Sequence, residues 1–125
     1  MLQLNQIGQI ALTVSDIRRS EDFYGAKLGL RPLFNFGNIT FFDCAGVRLM
    51  LSQAEAPAPG SVIYFRVADL PYSVAELKGR GVEFVDEPHR IAPMDDHDLW
   101  MTFFKDPDGN LLALMQEAPK GWTPS

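Results

Sequence analysis

One stretch of the sequence occurs twice and decides the fold. Residues 10–17 read IALTVSDI and residues 63–70 read IYFRVADL, so an apolar strand pattern followed by helix-capping residues recurs 53 positions further on. A second pair follows, because residues 41–51 read FFDCAGVRLML and residues 104–114 read FKDPDGNLLAL, 63 positions apart. The two halves are therefore repeats, and the second half has about ten additional residues between Val85 and Trp100.

Each half predicts one strand, one helix and three further strands. In the first half, alternating apolar residues predict a strand over 7–14, and a helix over 17–28 follows the cap residues Ser15 and Asp16. The second helix is predicted to begin at Asp69, with Pro71 in its first turn. The remaining predicted strands are 33–36, 40–43, 47–52, 82–85, 100–105 and 110–116.

The order of these elements defines the fold class. The sequence β-α-β-β-β occurs twice, which predicts an α+β fold made of two tandem βαβββ modules. We expect a single domain over residues 1–125, with module one at about 6–53 and module two at about 61–117. The segment 54–60 (AEAPAPG) has the composition of a linker.

Composition narrows the class of protein. The 125 residues are 46% apolar and 22% charged, which is typical of a globular domain rather than a disordered chain. A net charge of −5 without a basic cluster argues against nucleic acid and anionic membranes as partners. The longest apolar run, Leu111–Met115, is too short to span a bilayer. We therefore expect a cytoplasmic protein.

Two motifs within the repeat carry a family resemblance. FYGAKLG at residues 23–29 and FFKDPDGNLLAL at residues 103–114 resemble the vicinal oxygen chelate superfamily of glyoxalases, bleomycin-resistance proteins and extradiol dioxygenases. The resemblance extends from about Gln6 to Gln116. It implies that the two modules form a curved mixed sheet around a pocket, commonly in a homodimer. The activities of the superfamily range from lyases and isomerases to metal-free binding proteins, so fold alone does not select one.

The resemblance also implies where a metal would bind. Metal-using members place a histidine or carboxylate on the first and last strand of each module. The residues at those positions here are Gln9, Met50, Val62 and Ala113. Zinc, iron and manganese need imidazole, thiolate or carboxylate donors. We therefore expect no metal at the usual site of the family and no cofactor.

The pattern of the strands predicts a set of pocket residues. On the first strand of each half, the more apolar face is expected to pack on the helix, and the other face lines the pocket. Counting back from the DPDGN turn pairs Phe103 with Ala113. The same count in the first half pairs Phe42 with Arg48, and cross-strand partners share a face. The predicted ligand-binding residues are Gln9, Phe42, Arg48, Met50, Val62, Tyr64, Arg66, Met101, Phe103 and Ala113.

The additional residues of the second half contain both histidines. The segment 89–98 reads HRIAPMDDHD, and its spacing matches no standard metal motif. It is interpreted either as a solvated acidic loop or as a lid across the rim of the pocket. In a lid, His89 or His97 contacts the ligand or acts as an acid or base. With Tyr64, they are the catalytic candidates.

Three functional hypotheses follow. The first is a metal-independent protein that binds a small apolar or aromatic ligand carrying an anionic group, which Arg66 clamps through its planar fork. Alternatively, Arg66 does not bind a ligand, and its side chain points to solvent or pairs with an acidic residue. The second hypothesis is a lyase or isomerase of the glyoxalase-like group that uses Tyr64, Arg66 and a lid histidine. The third is a non-catalytic dimeric pseudoenzyme.

Overall fold

The computed structural model of the chain describes residue 3, residues 7–58 and residues 60–124. The chain divides into two compact units, Met1–Gly60 and Ser61–Ser125. Each unit contains a four-stranded mixed sheet and a helical segment in the order β-α-β-β-β, which confirms the α+β class and the two modules. The expected start of module one at residue 6 lies outside the described residues.

The first unit is built on a sheet of order β1-β4-β3-β2. Its strands are β1 (Gln9–Val14), β2 (Arg31–Asn35), β3 (Ile39–Cys44) and β4 (Val47–Gln53). β1 is parallel to β4, and the other neighbours are antiparallel. The Asp16 carboxylate caps α1 (Ile17–Glu21), which continues as a π-helical stretch over Asp22–Lys27. This helical segment packs on β3 and β4.

The second unit repeats that arrangement with the order β5-β8-β7-β6. Its strands are β5 (Ile63–Arg66), β6 (His89–Pro93), β7 (Asp98–Lys105) and β8 (Leu111–Ala118). The helix α2 (Leu70–Gly79) is capped by Asp69 and packs on β8. None of the helices within the described ranges is long and apolar enough to cross a membrane.

Alternation along the strands places one face of each sheet in the core. In β8, Leu112 and Leu114 are buried, and the backbone N–H of Leu70 donates to the side chain of Gln116, which fixes α2 against this face. Leu12 and Val14 are buried in the same way in β1. Residues in between point to the opposite face, as expected from the two-residue period of a strand.

The predicted register of the first half is wrong by one residue. Phe42 pairs with Leu49, whereas Asp43 pairs with Arg48. The reason lies in the turns: Cys44 pairs with Val47, so only two residues with positive φ join β3 to β4. That is the geometry of a two-residue hairpin. In the second half five residues separate the strands, because Lys105 pairs with Leu111.

This shift moves Phe42 out of the predicted pocket. Its side chain is 2% exposed and lies in the core of the first unit, with its ring centroid 6.5 Å from that of Tyr24. Phe41, its neighbour, takes the position opposite Met50. The second-half pairing of Phe103 with Ala113 is observed as predicted.

The strand predicted at 82–85 is also wrong. Phe84 forms an isolated bridge with Phe104, and the Val85 N–H donates to the Phe103 carbonyl, but the chain then leaves the sheet. The Asp86 side chain accepts the Phe103 N–H, and the paired strand resumes at His89. The segment expected to be a loop or lid is therefore a β6–β7 hairpin, with His89 at its first paired position.

Candidate functional site

The face of the second sheet that lies away from α2 is termed the open face. Strand pairing arranges its residues in three rows that cross the sheet. The first row is Tyr64, Ala113 and Phe103; the second is Arg66, Met115, Met101 and His89; the third is Glu117, Leu99 and Ala92. Aromatic, thioether and charged groups thus share one surface.

Phe103 is at the centre of an aromatic group on the open face. Its ring centroid is 6.2 Å from that of Tyr64, at an interplanar angle of 78°. The His89 ring lies 6.4 Å from Phe103, tilted by 32°. Ala113 is fully buried, and Tyr64 is 48% exposed. The edge-to-face pair of Tyr64 and Phe103, the tilted His89 ring and the small buried Ala113 form an aromatic surface of the kind that contacts planar ligands.

The carboxylate of Glu117 contacts two basic side chains, Arg66 and His97. Glu117 Oε1 lies 3.3 Å from Nη1 of Arg66, and Glu117 Oε2 lies 3.4 Å from Nε2 of His97. Nδ1 of His97 is 2.6 Å from the carboxylate of Asp96, and this hydrogen bond holds the pKa of Asp96 below its usual range. His97, in the hairpin turn, therefore has an acid on each ring nitrogen. Arg66, 72% exposed at its side chain, is paired with an acid through one of its nitrogens.

The hydrogen bonds of His89 differ from those of His97 and involve a backbone carbonyl. Its Nδ1 is 2.9 Å from the carbonyl oxygen of Glu87, and a carbonyl can only accept, so Nδ1 carries the proton. The Asp86 carboxylate lies 3.8 Å from the same nitrogen. In the neutral ring this leaves the lone pair on Nε2. A histidine arranged in this way accepts hydrogen bonds or protons at Nε2.

Asp86 is itself fixed by the sheet. Its Oδ1 accepts hydrogen bonds from the hydroxyl of Thr102 at 2.8 Å and from the backbone N–H of Phe103 at 2.9 Å. The other carboxylate oxygen faces His89. Side-chain partners that are anchored in this way orient a histidine ring and stabilise a positive charge on it.

The corresponding face of the first unit carries a second group of predicted residues. The Gln9 side-chain amide donates to Met50 Sδ at 3.7 Å. The Arg48 guanidinium lies 5.9 Å from the ring centroid of Phe41, within the range of a cation–π contact. Phe41 also contacts Phe34, at a centroid distance of 4.8 Å. This face combines a cation with exposed aromatic rings.

The family metal positions do not have the chemistry of a metal site. Gln9 and Met50 interact with each other as amide and thioether, and Val62 and Ala113 are aliphatic. A zinc or iron site takes at least three protein ligands, mainly imidazole, thiolate or carboxylate, and of these four side chains only the Gln9 amide oxygen could supply a hard donor. Across the described ranges, no three His, Cys, Asp or Glu side chains are grouped at metal-binding distance. The residues present do not fit the metal of the superfamily.

The structure distributes the predicted site residues unevenly. Brought together on the open face are Tyr64, Arg66, Met101, Phe103, Ala113 and His89. Val62 directly precedes β5, and Gln9, Arg48 and Met50 share the face of the first unit. Phe42 is in the core, and His97 reaches the open face only through Glu117.

Sequence reasoning missed two residues of this site. Glu117 lies two positions after Met115, so the strand period alone places it on the same face. Glu117 was missed because the predicted strand ends at residue 116, whereas β8 extends to Ala118. Asp86 was missed because its role depends on a local departure of the chain from the sheet, which no periodicity encodes.

The comparisons with known proteins identify the family. The Glyoxalase/Bleomycin resistance protein/Dioxygenase superfamily model matches residues 6–114, so the chain belongs to this superfamily. The chain is 27% identical, over 124 residues, to Virulence protein STM3117 of Salmonella typhimurium. That alignment covers 90% of this chain and 85% of the relative.

Solved structures agree with this assignment. The structure of Virulence protein STM3117 superposes with a TM-score of 0.77 at 25% identity, over 94% of this chain and 100% of the other. A superfamily member from Sphaerobacter thermophilus superposes with a TM-score of 0.75 at 26% identity, over 93% of this chain and 100% of the other. Lactoylglutathione lyase from Agrobacterium tumefaciens superposes with a TM-score of 0.74 at 21% identity, over 91% of this chain and 95% of the other. At this identity the similarity shows a shared fold only.

Proposed function

We propose that this protein is a metal-independent binding protein for a small aromatic ligand that carries one anionic group. Phe103 is the observation that carries the proposal. Its partly buried ring is flanked by Tyr64 and His89 within 6.2 and 6.4 Å and lies beside the buried Ala113, which the family resemblance aligns with a metal-ligand position. The proposal therefore places an aromatic platform next to a position whose side chain cannot bind a metal.

The anionic group of the ligand is assigned to Arg66. This residue lies one row from Tyr64 on the open face, and among the described residues its guanidinium contacts one carboxylate oxygen, at 3.3 Å. A guanidinium has five N–H donors, so the ion pair leaves donors for a second carboxylate. Two methionines, Met101 and Met115, complete the surface between the charged and aromatic parts, and thioethers adapt to planar ligands.

Binding of 2-naphthoate tests the proposal. We expect saturable binding by isothermal titration calorimetry, and weaker binding of 2-naphthamide, which has the same shape without the charge. Phe103→Ala is expected to weaken 2-naphthoate binding roughly fivefold, since ring contacts of this kind contribute about 1 kcal/mol. Tyr72→Ala is the matched control, because Tyr72 is an exposed ring on α2, outside both candidate faces. Equal effects of the two substitutions, or no binding of 2-naphthoate, would contradict the proposal.

A second candidate function is a lyase or isomerase that uses Tyr64, Arg66 and His89. The protonated Nδ1 of His89 favours it, because Nε2 is then available as a base, while Arg66 holds the carboxylate of the substrate at the other edge of the open face. In D₂O, such a base would exchange the methyl protons of 6-acetyl-2-naphthoate, whose ketone lies at the end opposite its carboxylate. Loss of the acetyl CH₃ signal in proton NMR with the natural chain, and no such loss with His89→Ala, would favour this enzyme over a binding protein.

The assembly and location of the protein are also part of the proposal. The homodimer and the cytoplasmic location, which were inferred from the family resemblance and the composition, stay predictions. Sedimentation equilibrium of the full chain measures the first, and fractionation of the source cells measures the second.

A further inference from the structure

We infer that the ligand of the open face carries a hydrogen-bond donor, a hydroxyl or N–H, at the end opposite its anionic group, and that Nε2 of His89 accepts this hydrogen bond. The inference rests on the proposed function and specifies its ligand class. The ligand is thus a rod-shaped aromatic acid with two different polar ends, rather than any anionic arene.

The second row of the open face supplies the geometry. Arg66 pairs with Met115, Met115 with Met101, and Met101 with His89. Arg66 and His89 are therefore on the two edge strands of the sheet, three interstrand spacings or about 14 Å apart at their Cα atoms. The two methionine side chains form the floor between them. A cation and a hydrogen-bond acceptor thus terminate one apolar strip.

The two ends lean in opposite directions along the strands. Arg66 reaches toward Glu117, two residues beyond Met115 in β8. The ring of His89 reaches toward Phe103, two residues beyond Met101 in β7. The axis of the ligand therefore crosses the row diagonally, with the ring of Phe103 beside its neutral end.

The hydrogen bonds of His89 determine the polarity of that end. Nδ1 donates to the Glu87 carbonyl, so Nε2 presents a lone pair in the neutral ring. The Asp86 carboxylate, one third exposed, lies 3.8 Å from Nδ1. A second anion here would be repelled by Asp86, whereas a neutral donor gains a charge-supported acceptor. The anionic group therefore belongs at Arg66, and the donor belongs at His89.

The experiment compares three probes by calorimetry at pH 8: 6-hydroxy-2-naphthoate, 2-naphthoate and 6-methoxy-2-naphthoate. The readout is the hydroxyl gain, defined as the Kd of 2-naphthoate divided by that of 6-hydroxy-2-naphthoate. We expect a gain of about three- to tenfold for the natural chain, as for one net hydrogen bond. The methoxy probe keeps the oxygen and loses the donor, so it is expected to show no gain.

Two substitutions locate the acceptor. His89→Leu is expected to reduce the hydroxyl gain to about one, and His89→Gln, which retains an acceptor oxygen, to restore part of it. Met94→Leu is the control in the same hairpin and is expected to keep the gain, because Met94 lies in the hairpin turn, is 44% exposed and is not part of the proposed binding surface. Thermal unfolding of each variant reports whether the hairpin remains folded, and His89→Gln tests the inference even if the leucine variant unfolds.

The outcomes separate this inference from the proposed function. Binding of 2-naphthoate with no hydroxyl gain, or with a gain that persists in both His89 variants, would overturn the inference and leave the proposed function in place. Absence of binding by all three probes would overturn both. A gain that is lost in His89→Leu and kept in Met94→Leu supports the assignment of Nε2.

Discussion

Glu117 and Arg66 form an ion pair on the open face, with Glu117 Oε1 3.3 Å from Arg66 Nη1. The second oxygen of the same carboxylate lies 3.4 Å from Nε2 of His97. The protein therefore places an anion of its own where we propose that the anionic group of the ligand binds. The ligand and Glu117 share one guanidinium, so the charge of Glu117 repels the anionic group of the ligand, and the second oxygen of Glu117 contacts His97 instead.

Removing the competing charge is expected to strengthen binding of an anionic ligand. Glu117→Gln should lower the Kd of 2-naphthoate about two- to fivefold, because an exposed ion pair contributes up to about 1 kcal/mol. The matched control is Glu76→Gln, which removes the acid of the Arg80–Glu76 ion pair on α2. Calorimetry measures both. Weaker binding by Glu117→Gln would instead assign Glu117 to the ligand site as a contact.

The corrected position of Phe42 gives a prediction about stability. Phe42→Ala removes a ring that is 2% exposed and packs near Tyr24, and substitutions of this kind cost about 3–5 kcal/mol. Phe103→Ala removes a half-buried ring and should cost less. Urea unfolding measures the two free energies. Without urea, where both variants are folded, Phe42→Ala should bind 2-naphthoate with the Kd of the natural chain. If its Kd changed as much as that of Phe103→Ala, Phe42 would belong to the binding site.

The Asp98 carboxylate connects the end of the chain to the second sheet. It accepts hydrogen bonds from the backbone N–H of Gly121 at 3.1 Å and from Nζ of Lys120 at 3.4 Å. The Gly121 N–H in particular lowers the pKa of Asp98, with smaller help from Lys120 and Arg90, and burial opposes them. Trp122 then packs edge-to-face on Trp100, at a centroid distance of 5.4 Å.

A lowered pKa predicts a defined dependence of stability on pH. Because the folded state holds Asp98 ionised more strongly than the unfolded state, its contribution is present above the ordinary pKa of about 3.9 and is lost as pH falls through the lower folded value. Asp98→Asn should therefore lower the urea midpoint at pH 7, and its difference from the natural chain should shrink below about pH 4. Asp95→Asn, at an exposed acid of the hairpin turn, is the control. A difference that is constant from pH 7 to pH 3 would contradict the prediction.

The repeat made most of the fold predictable, because alternation, caps and turns are local signals. The register of β3 against β4 was not predictable from the DCAG and DPDG similarity. These two similar tetrapeptides form different turns: a two-residue hairpin turn at Ala45 and Gly46, and a five-residue loop that contains Gly109. The different turns shift the register by one residue, which reverses the side of the sheet that a residue faces, so Phe41 and not Phe42 lies opposite Met50.

The site was predictable only where it follows from strand period. Tyr64 and Arg66 lie on the open face as their alternation indicates. The two histidines were assigned to one loop, yet His89 is a strand residue held by Glu87, and His97 lies between two acids. Their different roles depend on side-chain hydrogen bonds that arise only when the hairpin forms.

Asp86 is expected to act as a positioning residue for His89. Its Oδ1 is held by Thr102 and Phe103, while Oδ2 lies 3.8 Å from Nδ1 of His89. A carboxylate at this place stabilises positive charge that develops on the ring when Nε2 accepts a hydrogen bond. Asp86→Asn keeps one oxygen for the sheet and replaces the charge with an amide. It should therefore reduce the hydroxyl gain of 6-hydroxy-2-naphthoate at least about twofold while changing 2-naphthoate binding little.

The matched control is Glu87→Gln, since the hydrogen bond of His89 to Glu87 uses the backbone carbonyl, which the substitution keeps. Nitrogen-15 NMR of the imidazole separates positioning from general destabilisation, because it reports which ring nitrogen carries the proton. In the natural chain and in Glu87→Gln we expect the Nδ1–H form, and in Asp86→Asn a smaller population of it. If Asp86→Asn left both the ring spectrum and the hydroxyl gain as they are in Glu87→Gln, Asp86 would serve only the hairpin, through Thr102 and Phe103.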